Sequence, residues 1–226
     1  DGETLLTRKV ILAMGIKDRE PDITGISDHV GRFLRYCPVC DGYEHTDKRL
    51  GILGSGPAVA RHALFLRSFS NCITLFLHGE DPASLEEYAT VLAKKHIDVQ
   101  QSRITRILEE EIEGEKGCRG TGVRLEDGSE HPLEALYISL GCNVNLGPVA
   151  GLPINVDEDG FVITDAYQET SVPGIYAAGD LVSQLSQISV AFGQAAVAAV
   201  RIHNELDDSE DEDDVVTSQI PGTGVE

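Results

Sequence analysis

Long apolar runs are missing from this sequence of 226 residues, and so are the basic residues that would balance its acids. No stretch approaches the ~20 apolar residues that a membrane-spanning helix needs. No positively charged then apolar stretch leads into a small-residue cleavage site. The chain has 18 Lys and Arg against 38 Asp and Glu, a formal net charge of -20. That charge argues against nucleic acid and anionic membrane surfaces as partners, because both call for a basic face that displaces counterions. Cysteines are odd in number and mostly scattered: Cys37, Cys40, Cys72, Cys118 and Cys142. They do not make the paired framework of a secreted disulfide-rich domain, so a cytoplasmic setting is expected.

What is present suits a globular chain. Hydrophobic residues make up 41% of it and there are 23 glycines, enough for one or two cores built of short elements joined by tight turns. Much of the negative charge is local. The run "DDSEDEDD" lies in residues 207–226, where no Lys or Arg occurs, and this segment is expected to be a solvated, disordered acidic tail. The chain starts at Asp1 rather than Met, and residues 7–13 already read as a buried strand, so upstream sequence is expected to have been cut away.

The stretch "RYCPVCDGYE", residues 35–44, places Cys37 and Cys40 beside Asp41 and Gly42. A structural zinc site needs four ligands, and no second Cys or His pair at short spacing accompanies this one. A Cys-x-x-Cys pair opening a helix has another use: the helix N-terminus stabilises a thiolate, and the pair cycles between dithiol and disulfide. Redox chemistry therefore leads over zinc on the residues alone. Cys72, at the start of an apolar strand, and Cys142, after a strand-ending glycine, read as buried structural thiols.

The segment after the pair reads as strand, glycine turn, helix and strand. Residues 49–53 are strand-like, Gly54-Ser55-Gly56 follows, residues 57–67 carry helical apolar spacing, and residues 72–77 form a second apolar strand. In that context Gly54 permits the turn and Gly56 lets backbone amides approach a pyrophosphate at the helix N-terminus. Val59 stands where a third Gly or Ala is usual, which weakens the helix-to-strand approach and leaves a plain βαβ crossover as the competing reading. At the end of the second strand come His78-Gly79-Glu80-Asp81. His78 is either a ribose contact or a surface histidine, and the acids would repel a 2′-phosphate.

Further on, residues 85–95 read as an amphipathic helix and 103–112 as a strand. Residues 114–120 read as a loop, and residues 122–125 with 133–140 as a small antiparallel portion. "VILAMG" and "LYISLG" each end a strand in glycine, as if the chain left one domain and later returned. In "SVPGIYAAGD", Gly179 allows a ligand close and Asp180 is either an acceptor for a ribose-like hydroxyl or a turn acid. A small-residue helix follows in residues 186–200.

This ordered set resembles the low-molecular-weight thioredoxin reductases, a family of FAD-dependent pyridine nucleotide-disulfide oxidoreductases. The resemblance runs over residues 9–206 and rests on Ala13-Met14-Gly15, Cys37-x-x-Cys40-Asp41-Gly42, Gly54-x-Gly56, Leu140-Gly141 with Asn145, and Ala178-Gly179-Asp180 with Gln187. It implies an α/β fold in which a Rossmann-like pyridine nucleotide domain, residues 29–142, is inserted into a discontinuous FAD-binding domain of residues 1–28 and 143–206. The family's own opening glycine loop for the FAD pyrophosphate has no counterpart here, so the FAD domain is expected to be N-terminally incomplete and to hold FAD weakly. The resemblance also implies electron flow from NAD(P)H through FAD to the cysteine pair. From there electrons would reach a thioredoxin-like protein or a small disulfide or dithiol, with a homodimer as a possible assembly. Cys40 would face the flavin, Cys37 would attack the external disulfide and Asp41 would move protons. Gly54, Gly56, Pro57 and His78 would meet the nicotinamide nucleotide, and Gly179, Asp180, Gln187 and Ile188 the FAD.

Two departures stand beside it. The family's His-Arg-Arg for the NADP phosphate is His78-Gly79-Glu80 here, which favours NADH. The run "CPVCDGYE" also resembles that of FAD-dependent dithiol oxidases, which pass electrons to oxygen without a nicotinamide. A redox-inactive binding module that presents the acidic tail is the reading from another class.

Overall fold

The computed structural model describes residues 6–113, 119–182 and 185–208. Cys118, most of the loop expected at residues 114–120 and nearly all of the acidic tail lie outside the described residues. The chain divides into two compact units, Asp1–Asp18 with Cys142–Glu226, and Arg19–Gly141. The first crossing between these units falls at Asp18. Among the described residues no helix is long and apolar enough to cross a membrane.

The first unit opens with β1 (Val10–Leu12) and β2 (Ile16–Asp18). The second unit then runs β3 (Leu34–Arg35), α1 (Pro38–Asp41), β4 (Arg49–Gly54), α2 (Gly56–Leu66), β5 (Cys72–Phe76), α3 (Glu86–Lys94) and β6 (Asp98–Gln100). It closes with β7 (Ile104–Glu113), β8 (Arg119–Leu125), β9 (Glu130–Pro132) and β10 (Ala135–Ser139). The chain returns through β11 (Cys142–Val144) and β12 (Ile175–Ala177) to α4 (Ile188–Asp208).

In the second unit a five-stranded parallel sheet has the order β3-β10-β4-β5-β6. One face packs on helices: Leu50, Ile52, Ile73, Leu75 and Tyr137 meet Val59, Ala63 and Leu66 of α2 and Leu92 of α3. The other face packs on the antiparallel sheet β7-β8-β9, where Leu53, Phe76, Leu136 and Ile138 meet Ile104, Ile107, Val123 and Leu125. Each such side chain taken from water stabilises the layers by roughly 1.5–3 kcal/mol. Residues 122–125 pair antiparallel as expected, but residues 133–140 do not join them. They form β10, a central parallel strand buried on both faces, from Ala135 to Tyr137 fully and Ile138 at 5% exposure. A strand covered on both faces shows a continuous apolar run rather than alternation, so its sequence does not say which sheet it enters.

In the first unit β1 pairs parallel with β12, and β2 antiparallel with β11. Leu12, Val162, Ala177 and Leu181 form its small core. Gly15 has φ +65, a left-handed turn that lets the chain reverse between β1 and β2.

Candidate functional site

Cys37 and Cys40 are joined as a disulfide, with Cα atoms 5.3 Å apart. Cys37 caps α1, and Pro38 supplies the fixed φ of a first helical position. The amide of Cys40 donates to the Sγ of Cys37 at 3.1 Å. The helix that the pair opens is short. α1 is a single turn, continued by a 3-10 turn at Gly42–His45, so a specific N–H contact replaces a summed field. A Cβ on Gly42 would lie 2.9 Å from the ring of Phe69, which explains how this turn sits so close beneath α2. Cys37 is half-buried and Cys40 exposed, flanked by exposed Val39 and Tyr43.

Asp41 ends α1 and is held on both carboxylate oxygens. The Tyr137 hydroxyl donates to Oδ1 at 2.8 Å, and Arg35 Nη1 lies 3.3 Å from Oδ2. His45 Nδ1 lies 3.1 Å from the Asp41 backbone oxygen and 3.2 Å from the Tyr137 hydroxyl. Tyr137 is fully buried, and His45 is 6% exposed. Burial pushes the Tyr137 phenol well above its ordinary range, with the hydrogen bond to Asp41 and its charge adding to this, so the group is a protonated donor throughout the accessible pH range. Sequence reasoning missed Arg35, His45 and Tyr137. The available signal was a single polar tip inside the apolar run of β10.

Gly54, Gly56 and Pro57 lie where β4 turns into α2. A Cβ on Gly54 would sit 2.3 Å from the Ser139 carbonyl oxygen and 3.2 Å from Val59 Cγ2. Val59 therefore does not loosen the unit: it is fully buried against the space that Gly54 leaves. Gly56, with φ +72, faces open space at the start of α2, whose first amides have no side-chain cap.

His78 follows β5 and is half-buried rather than a surface histidine. Its Nδ1 accepts from the Ile104 amide at 3.1 Å. Burial holds its pKa below the ordinary value, helped by the Arg103 charge and opposed by Asp22 and Glu80. The neutral ring then carries its proton on Nε2, a buried atom without a partner among the described residues. The uncapped start of α2 at Gly56 fits the phosphate oxygens of a dinucleotide, whereas the buried Nε2 of His78 is an unmet donor inside the fold.

In the first unit Gly179, Asp180, Gln187 and Ile188 line one cavity of about 400 Å³, together with Gly15 and Phe192. Gly179 has φ +78, and its amide donates to the Gln194 side chain at 2.7 Å. Asp180 lies within the 3-10 turn Gly179–Leu181 and does not cap it; the cap position is Ala178. Burial raises the pKa of Asp18, and the charge of Asp180 adds to it. Small walls with a carboxylate at the edge suit a flat ring and sugar hydroxyls, the parts that FAD would present there. Cys72 and Cys142 depart from the sequence reading: Cys72 is exposed at the edge of β5 and Cys142 half-buried in β11.

A doubly covered parallel sheet with a glycine turn at a helix start, carrying a disulfide closed across a single helical turn, defines an α/β dinucleotide-binding disulfide protein. Comparison with known proteins makes this particular: residues 1–195 match the family model of pyridine nucleotide-disulphide oxidoreductases, and the chain belongs to that family. It is 31% identical over 211 residues to an alkyl hydroperoxide reductase polypeptide of Pseudomonas putida, covering 91% of this chain and 40% of the relative. It is 30% identical over 205 residues to thioredoxin reductase of Listeria monocytogenes, covering 87% and 62%. Among solved structures it superposes on HlmI with a TM-score of 0.78 at 30% identity, over 90% of this chain and 62% of the other. Thioredoxin reductase of Streptococcus pyogenes gives 0.75 at 28%, over 88% and 66%. The chain thus spans less than two thirds of the curated relatives it matches.

Proposed function

We propose that the protein acts as a thioredoxin reductase-like flavoprotein disulfide oxidoreductase. Electrons would pass from a nicotinamide nucleotide through FAD to Cys37 and Cys40, and on to an external disulfide on a thioredoxin-like protein or a small molecule. The observation that carries this reading is the Cys37–Cys40 disulfide, set beside an Asp41 whose two oxygens are both held. FAD, when bound, supplies the two-electron exchange between nicotinamide and disulfide.

The chain's own residues supply the rest. The start of α2 binds the nicotinamide nucleotide, while Asp180 and Gln187 orient the flavin. Cys37 attacks the external disulfide, its sulfur steadied as a thiolate by the Cys40 amide. Asp41 holds the proton that a leaving sulfur takes. The test is oxidation of NADH or NADPH by the FAD-supplemented protein in the presence of thioredoxin or an aromatic disulfide. Turnover that depends on the disulfide and is lost in Cys37→Ser supports the reading.

The replacement of two expected arginines by Gly79 and Glu80 favours a second reading, a dithiol oxidase that passes electrons to oxygen. Oxygen uptake with a dithiol and no nicotinamide would select it.

A further inference from the structure

Ser139 ends β10 in register with Gly54, the last residue of β4. β4 lies between β10 and β5. From β4 the chain moves to one side, through α2 to β5 and on to β6, and only after β7, β8 and β9 does it enter β10 on the other side. The strand order therefore reverses between β4 and β10, and ligands of open α/β sheets lie outside the carboxyl ends of the strands at such a point. His62 stands at this end. Helical side chains lean toward the N-terminus of their helix, and the His62 ring reaches from α2 to the half-buried Ser139, with Nδ1 2.8 Å from Oγ. Its neighbour Arg61 turns away to the Tyr88 hydroxyl of α3, 3.3 Å from Nη1. His62 is exposed, yet partial loss of solvent around the ring lowers its pKa, and the Arg61 charge adds to this. The ring is thus neutral at pH 7, with one N–H and one lone pair. Nδ1 is taken by Ser139, and Nε2 has no hydrogen-bond partner among the described residues. If Oγ donates to Nδ1, Nε2 carries the proton; if Nδ1 donates, Nε2 is an acceptor.

We propose that His62, its ring set by the Ser139 hydroxyl, binds the nicotinamide nucleoside half of the dinucleotide. This rests on the reading of the α2 start as a nucleotide site. With the pyrophosphate at that start, the adenosine half extends to the end of β5, where a Rossmann unit meets its ribose, and the other half extends across Gly54 to the end of β10. Ribose hydroxyls and a carboxamide each offer both a donor and an acceptor, so they match Nε2 in either of its roles. Ser139 is then a positioning residue, since it acts on the nucleotide through the His62 ring.

The test is equilibrium titration of the full chain with NADH and with ADP, which carries adenosine and a pyrophosphate but no nicotinamide nucleoside. Binding is read directly, without FAD or turnover. His62→Ala should fold normally, because the position is exposed and Ala has the highest helix propensity. Loss of one hydrogen bond should weaken NADH by about 3–10-fold and leave ADP within about twofold of wild type. Ser139→Ala should weaken NADH less than His62→Ala does, and should change nothing further in the His62→Ala background. Unchanged NADH binding in His62→Ala would overturn the proposal. So would an equal loss of NADH and ADP, which would place the effect at the helix start, or a loss in Ser139→Ala that persists without His62. A wild-type protein that binds neither NADH nor ADP would instead sink the reading of the nucleotide site, and this proposal with it.

Discussion

The backbone carbonyl of Ser139 lies 2.3 Å from the place where a Cβ on Gly54 would stand, so the strand β10 and the turn after β4 are in contact through the absence of a side chain. Gly54→Ala forces one of two paired central strands to move and should cost about 1–3 kcal/mol, as overpacking does. Gly56 differs: open space surrounds it, and only its φ of +72 opposes a side chain. Gly56→Ala should therefore cost about 1–2 kcal/mol while weakening nucleotide binding more than Gly54→Ala does for the same loss of stability. Denaturant melts and nicotinamide titrations of the two variants check this.

On the proposed function, cofactor preference would be set at the end of β5. If a 2′-phosphate were to lie at Gly79 and Glu80, it would meet an acid in place of cations, and NADH should then bind more tightly than NADPH by ~1–3 kcal/mol. Arg103 tempers this, since it runs along Gly79: a Cβ there would lie 3.0 Å from its Cγ and 3.5 Å from Nη1. Arg103→Ala should widen the gap by weakening NADPH more than NADH. Fluorescence titration of both nucleotides measures it, and tighter NADPH binding by the wild-type protein would contradict it.

The first unit is pinned by Glu205. Its Oε2 accepts from Lys9 at 2.5 Å and from the buried Tyr176 hydroxyl at 2.8 Å, and Arg201 Nε lies 2.7 Å from Oε1. Burial pushes the carboxyl up, but the hydrogen bonds from Lys9 and Tyr176 and the charges of Arg201 and Lys9 outweigh it, so the group lies below its usual range. A carboxyl with a depressed folded pKa stabilises the fold above its unfolded value of about 4.3 and loses that contribution as pH falls through the folded one. Glu205→Gln should cost about 1–3 kcal/mol at pH 7, and the difference from wild type should shrink below about pH 4. Thermal melts across pH test the sign.

Local chemistry is readable in the sequence where context repeats it. The strand, glycine turn and helix from Arg49 to Leu66 form as expected because apolar spacing and glycines agree over a continuous segment. The pairing of Cys37 with Cys40 follows from a separation of three residues. Other features depend on contacts distant along the chain. Tyr137 is 96 residues from Asp41, and nothing local marks it as that acid's partner. The strand at residues 135–139 reads as part of an antiparallel hairpin, since an apolar run buried on both faces carries no sheet identity. The exposure of Cys72 is also illegible: it is the first residue of β5, where the strand edge is open although the rest is apolar.

Disulfide turnover by Cys37→Ser and Cys40→Ser proteins, each measured beside wild type with FAD, NAD(P)H and an external disulfide, tests the central claim most directly. Both variants should keep the fold, since neither side chain belongs to a buried core, and both should lose disulfide turnover while still passing electrons from the nicotinamide to an artificial acceptor. Full disulfide activity in both variants would contradict the claim and make the Cys37–Cys40 pair a structural link.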